Sequence, residues 1–134
     1  MIRVCLVDDQ TLVRQGIRSL LALDGGIEVI AEAADGRQAV DQIPQWRPDV
    51  VLMDMRMPVM SGLEALQSLA ASGQLPPTII LTAFDDDQLV LAGLKAGAKG
   101  YLLKDVSLEQ LVGAIRAVAG GGSLVQPAVT QRLL

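Results

Sequence analysis

A chain of 134 residues with 51% hydrophobic side chains can bury a single-domain core and is too apolar to remain disordered. Its net charge of −4 supplies no basic patch for a nucleic-acid backbone, and with no histidine it lacks the commonest general base and metal ligand. No apolar run nears the ~20 residues of a membrane span, and Met1-Ile2-Arg3 leads into a strand pattern without the layout of a signal peptide, so a cytosolic location is expected.

In chain order, strand and helix patterns alternate five times, the arrangement of a parallel α/β sheet. Val4-Cys5-Leu6-Val7 is the core of the first strand, and Cys5 within it reads as a small buried hydrophobe with no partner for an internal disulfide. Leu12, Val13, Ile17, Leu20 and Leu21 recur at helical spacing until Asp24-Gly25-Gly26 breaks the pattern. Residues Ile27 to Ala33 form a second strand, which Glu28 and Glu32 make too polar for the middle of a sheet and suited to its edge. Asp35-Gly36 opens a second helix expected to end near Pro44, and Trp46-Arg47-Pro48 connects it to the third strand, Val50 to Met53. After a loop from Met55 to Met60, Ser61-Gly62-Leu63-Glu64 has capping-box spacing and starts a third helix, closed by Gly73 and Pro76-Pro77.

The fourth strand runs through Thr78-Ile79-Ile80-Leu81 to Thr82. Asp85-Asp86-Asp87 then suits the N-terminus of a fourth helix better than a metal site, because acids complement the helix dipole there. Gly93 and Gly97 mark this helix as the weakest of the set. Tyr101-Leu102-Leu103 forms the last strand and runs into Lys104; Ser107-Leu108-Glu109-Gln110 is a second capping box, followed by an amphipathic helix through Leu111, Val112, Ile115, Val118 and Ala119. Gly120-Gly121-Gly122 stops it, Pro127 suits the first turn of a short helix in the tail, and an ending on Arg132-Leu133-Leu134 reads as the truncated start of a longer chain.

Four of these apolar runs end in a residue able to handle a phosphoryl group or a metal: Asp8-Asp9, Asp54, Thr82 and Lys104. Ligands of an open parallel sheet bind beyond the carboxyl ends of its strands, and the order 2-1-3-4-5 sets the first and third strands together at the switch point. Asp8, Asp9 and Asp54 would then crowd one crevice and call for a hard cation such as Mg²⁺. Asp54 could attack phosphorus as a nucleophile, with Lys104 and Thr82 meeting phosphoryl oxygens. Taken singly, Asp8-Asp9 could be a helix cap, Thr82 a strand terminus and Lys104 a solvated loop lysine; all of them at one sheet edge point to a site.

Asp8-Asp9, Asp54 with Met57-Pro58 and Gly62, Thr82-Ala83, and Lys104 resemble the signature of response-regulator receiver domains, from the first strand to the fifth helix. The resemblance implies a flavodoxin-like (βα)5 fold. It implies Asp54 as phosphoacceptor from a phosphohistidine on a sensor histidine kinase, which accounts for the lack of histidine here. It implies Mg²⁺ on Asp8, Asp9, Asp54 and the backbone carbonyl of Arg56, with the N–H groups of Arg56 and Ala83 lining the phosphoryl site. It also implies a switch in which Thr82 moves toward the phosphoryl group and the ring of Tyr101 turns inward.

Asp54-Met55-Arg56-Met57-Pro58, Gly97-Ala98-Lys99-Gly100-Tyr101 and Leu103-Lys104-Asp105 resemble the NarL/FixJ (LuxR-type) subfamily. By that resemblance residues 1–119 are the receiver and 120–134 begin a linker to a helix-turn-helix DNA-binding domain outside this sequence, with homodimers on phosphorylation a common outcome. A receiver of this kind turns over no substrate beyond its own phosphoryl group. Other readings are a receiver acting through protein partners without phosphorylation, an aspartyl-phosphate phosphatase and a nucleotide-binding module. The phosphatase needs a second aspartate where Arg56 stands, and the nucleotide module lacks both a Gly-x-Gly-x-x-Gly fingerprint and a P-loop.

Overall fold

The computed structural model describes residues 1–83 and 87–125. In chain order it runs β1 (Ile2–Val7), α1 (Thr11–Leu21), β2 (Ile27–Ala33), α2 (Gly36–Trp46), β3 (Val50–Met53), α3 (Gly62–Ala71), β4 (Thr78–Thr82), α4 (Asp87–Lys95), β5 (Gly100–Leu103), α5 (Leu108–Ala119) and β6 (Leu124–Val125). All strand pairs are parallel, in the order β2-β1-β3-β4-β5-β6. The flavodoxin-like order of five strands is thus the expected one, with polar β2 at an edge. The sixth strand lies in the stretch read as linker: two residues pairing with Gly100 and Tyr101 of β5.

Continuous apolar strands hide a strict alternation between the two faces of the sheet. Val4, Leu6, Val50 and Leu52 point to one face, where Leu21 of α1 and Leu111, Ile115 and Val118 of α5 cover them. Cys5, Val7, Val51 and Met53 point to the other and meet Ala39 and Ile43 of α2 and Ala65 and Leu69 of α3. Burial pushes the Cys5 thiol up to about 12, so it is held as the inert neutral form. A third cluster, Met55, Leu66, Ile80, Val90, Ala98 and Tyr101, lies under α4.

The first helix forms as expected but buries little of its apolar set, and the end of the second needs correction. Of the apolar set on α1, Leu12 is 81% exposed and Leu20 46%, and only Leu21 is fully buried, with half-buried Ile17 one turn before it. The helix therefore presents a narrower stripe to the sheet than its composition suggests. α2 does not end near Pro44 but carries it internally and continues to Trp46. Its C-terminus is secured from outside: Arg3 donates from Nη1 to the carbonyl of Arg47 at 2.7 Å and from Nη2 to that of Trp46 at 3.0 Å. Both capping boxes are formed, at Ser61 with Glu64 and at Ser107 with Gln110. Asp87 is the first residue of α4; Asp85, Asp86 and the Pro127 helix lie outside the described residues.

Gly93 and Gly97, whatever they cost in helix propensity, have geometric work. Gly97, at φ +116°, is the left-handed residue of a Schellman ending in which Ala98 N–H donates to Gly93 O at 3.1 Å and Gly97 N–H to Leu94 O at 3.2 Å. At Gly93 a Cβ would stand 2.3 Å from Cδ1 of Ile80, so the bare backbone is what lets α4 approach the sheet.

Candidate functional site

The carboxyl ends of β1, β3, β4 and β5 bring Asp9, Asp54, Thr82, Ala83 and Lys104 to one cleft of about 460 Å³, completed by Gln10 and Arg56. Asp8 lies beneath its floor and is only 4% exposed. Carboxylate oxygens of Asp8, Asp9 and Asp54 all fall within 4.8 Å of one another. Lys104 closes the group, its Nζ 2.9 Å from Oδ2 of Asp8 and 3.6 Å from Oδ2 of Asp54.

One ammonium does not balance three crowded carboxylates. Burial is the largest cause holding the Asp54 carboxyl above the ordinary aspartate range; the charges of Asp8 and Asp9 add to it, while Lys104 and the Met55 N–H work against it. For Lys104 burial acts downward, yet the hydrogen bond to Asp8 and the charges of Asp54 and Asp8 outweigh it and raise its pKa. An all-oxygen donor set with surplus negative charge fits a hard divalent cation and suits no soft one.

The backbone fixes the two buried acids. Asp8 accepts from Gln10 N–H at 2.8 Å through Oδ1, which bends the chain into α1. α1 itself has Gln10 at its N-cap with no side-chain cap bond, so the reading of Asp8-Asp9 as a simple helix cap fails. Asp54 is 9% exposed, and Met55 N–H donates to its Oδ1 at 2.9 Å. The following loop turns at Val59, φ +68°, with Met60 N–H on Pro58 O at 2.7 Å, a strained γ-turn that brings α3 back beneath the site. There Gly62 N–H donates to Met55 O at 2.9 Å, and a Cβ on Gly62 would fall 2.1 Å from the carbonyl oxygen of Asp54.

Tyr101 is 2% exposed and shares its cluster with Met55, the neighbour of Asp54. Its ring is thus fully inward, more deeply set than a half-buried strand aromatic. Sequence reading did not single out Gln10, Met55 or Arg14, whose guanidinium donates to the main-chain carbonyl of Asp8. Gln10 and Met55 act through their peptide N–H groups, which no side-chain pattern announces.

Buried Asp8 and Asp54, exposed Asp9 and Lys104 thus meet beyond the carboxyl ends of a parallel sheet, where doubly wound α/β domains place their ligand sites. The response regulator receiver domain model matches residues 4–116, and the chain belongs to that family. Its relatives are of the NarL/LuxR type. It is 47% identical over 131 residues to the nitrate/nitrite response regulator protein NarP of Escherichia coli, covering 98% of this chain and 61% of NarP. It is 40% identical over 134 residues to the transcriptional regulatory protein LnrK of Bacillus subtilis, covering 100% of this chain and 61% of LnrK. Among solved structures it resembles a LuxR-family two-component response regulator from Aurantimonas sp., with a TM-score of 0.91, 34% identity, and 98% and 94% of the two chains covered. The receiver domain of the putative response regulator NarL from Mycobacterium tuberculosis superposes with a TM-score of 0.84 at 35% identity, over 90% and 97%. The chain spans about three-fifths of the length of the curated relatives it matches. Among the described residues no helix is long and apolar enough to cross a membrane.

Proposed function

We propose that this receiver domain is switched by a phosphoryl group accepted on Asp54 from a phosphohistidine of a sensor histidine kinase. An Asp54 carboxylate oxygen attacks phosphorus in line, the P–N bond breaks, and its electron pair leaves with the imidazole of the kinase. Asp8, Asp9, Asp54 and the carbonyl of Arg56 would hold Mg²⁺, which when bound offsets the charge of the acids and of the phosphoryl oxygens. Lys104, already 3.6 Å from Asp54, pairs with one of those oxygens, the Thr82 hydroxyl meets another, and the N–H groups of Arg56 and Ala83 line the remainder. No substrate is released apart from the phosphate lost when Asp54 returns to its resting state.

The output is a change of shape. Thr82 drawn toward the phosphoryl group acts on the β4–α4–β5 surface and holds the Tyr101 ring in the inward position it occupies here, a population shift of a packed element biased by one new charge. The sharing of one cluster by Met55 and Tyr101 supports that route. Residues 1–119 are the switch, residues 120–134 lead toward an output domain, and the full-length protein regulates transcription through helix-turn-helix contacts with DNA, its affinity raised when receivers pair as homodimers. A cytoplasmic location accords with this partner set.

The observation that carries the proposal is the meeting of Asp54 with Asp8, Asp9 and Lys104 at one sheet edge. Incubation with Mg²⁺ and a small phosphodonor adds one phosphoryl group, labile to hydroxylamine as an acyl phosphate must be, and Asp54→Asn abolishes it. Intact-mass spectrometry reads both, and labelling of the variant at the wild-type level would remove Asp54 from the role.

A further inference from the structure

The turn that carries Asp8 and Asp9 is fastened from behind by a largely buried arginine. Arg14, in α1, has a side chain only 13% exposed. It donates from Nη1 to the main-chain carbonyl of Asp8 and from Nε to Oε1 of Glu32 at 2.9 Å. Glu32 lies on β2 in register with Leu6, and its other oxygen is held by Arg18 at 2.7 Å. Both carboxylate oxygens are therefore occupied by arginines one helical turn apart, and the direction of the Arg14 guanidinium is fixed.

Asp8 has few freedoms left. Its N–H donates to Ala33 O at 3.1 Å, and its carboxylate takes Gln10 N–H at 2.8 Å and Lys104 at 2.9 Å. The Arg14 bond sets the remaining group, the carbonyl of the Asp8–Asp9 peptide. Rotation of that peptide would swing Asp9, the exposed member of the acid trio, away from the other two.

We infer that Arg14, anchored by Glu32, is a positioning residue that holds Asp8 and Asp9 in register for the divalent cation. This rests on the metal reading of the site given above. Charge alone predicts the opposite behaviour. A guanidinium behind an acidic cluster repels a cation, so if Arg14 acted only through charge its removal would tighten metal binding. If it acts by position, removal weakens binding, as loss of outer hydrogen bonds to metal ligands does elsewhere.

The sign decides, and calorimetric titration of the protein with MgCl₂ alone reads it. Arg14→Met is expected to weaken Mg²⁺ binding about tenfold. Glu32→Ala, which frees the guanidinium without touching the acids, shifts affinity in the same direction by less. Arg18→Met removes a more exposed ion pair to the same glutamate and stays within about twofold of wild type. Circular dichroism checks the fold of each variant; should Arg14→Met fail to fold, Arg14→Lys, which keeps the charge but not the guanidinium fork and is expected to weaken binding, carries the test. Unchanged or tighter binding in a folded Arg14 variant overturns the inference, as does an equal loss in Arg18→Met, which would reduce the pairs to stapling α1 onto β2. A wild-type protein with neither Mg²⁺ binding nor Mg²⁺-dependent labelling of Asp54 would overturn the proposed function and this inference together; normal wild-type binding with an indifferent Arg14 variant would overturn the inference alone.

Discussion

The two flanks of Asp54 are braced by different parts of the chain. On the flank of α2 and α3 the close contacts are main chain against main chain: a Cβ at Gly62 would meet Asp54 O at 2.1 Å, and one at Gly36 would meet Met60 O at 2.5 Å. On the flank of β4, α4 and β5 the close contact is a side-chain tip, Cδ1 of Ile80 at 2.3 Å from a Cβ on Gly93, with Cε of Met55 next at 3.3 Å. The first kind of contact can yield only by moving main chain, at Gly62 the peptide of Asp54 itself. The second yields by rotating a side chain within the Tyr101 cluster. The proposed switch needs this asymmetry: a fixed place for chemistry on one side, and a packed but repackable element on the other.

Gly62→Ala should break the rigid flank most severely. With no free space at Asp54 O, the added methyl must displace α3 or the Asp54–Met55 backbone, a cost of about 2–3 kcal/mol. Denaturant titration measures that loss. Phosphoryl labelling should fall with it even under conditions where the variant remains folded, because the carboxylate leaves its place opposite Lys104. A Gly62→Ala protein with wild-type stability and labelling would show that the main-chain brace is dispensable.

The rigid flank also holds charges that repel. Asp54 has a folded-state pKa above its unfolded value of 3.8, raised first by burial. The associated stability is therefore fully present below about pH 3.8 and lost as pH rises through the raised folded value. Near neutral pH the ionised group works against folding, so Asp54→Asn should be more stable than wild type by about 1 kcal/mol. Acidification to about pH 4, or added Mg²⁺, should shrink that gap, since only wild type has the third carboxylate to neutralise. Thermal melts of the two proteins at both pH values test the sign; a variant less stable than wild type at neutral pH would mean that the acid trio is already satisfied.

The same contrast explains what was legible in the sequence. Asp8, Asp9, Asp54, Thr82 and Lys104 could be located because each stands where an apolar run stops, and parallel topology gathers such ends at one edge. Ser61 and Ser107 were readable as caps because a capping box is local. What could not be read is non-local or has no side-chain signature. Glu32 was visible only as a polar interruption of an edge strand, since its partner Arg14 lies 18 positions away. Arg3 sustains α2 past Pro44 from more than 40 positions away. The exposure of Leu12 and Leu20 depends on how α1 is rotated against the sheet, and β6 on a pairing with β5 that two residues cannot announce.

Gly93 is the sharpest case, because helix propensity alone marks it as a weak point. Alanine there would gain up to about 1 kcal/mol of helix propensity while pressing on the movable end of Ile80. The two effects nearly cancel, so Gly93→Ala should change stability by under about 1 kcal/mol. Its consequence should instead be for the switch. Ile80 pairs with Tyr101 across the β4–β5 register and shares its cluster with Met55, so repacking there alters the route from Asp54 to Tyr101 without moving Asp54. In wild type, phosphorylation should shift amide NMR signals from Thr82 through Tyr101; in Gly93→Ala, labelling of Asp54 should persist while those distant shifts shrink. Shifts confined to the acid trio in wild type would remove the relay, and loss of labelling in Gly93→Ala would show that the soft flank is as rigid as the one formed at Gly62.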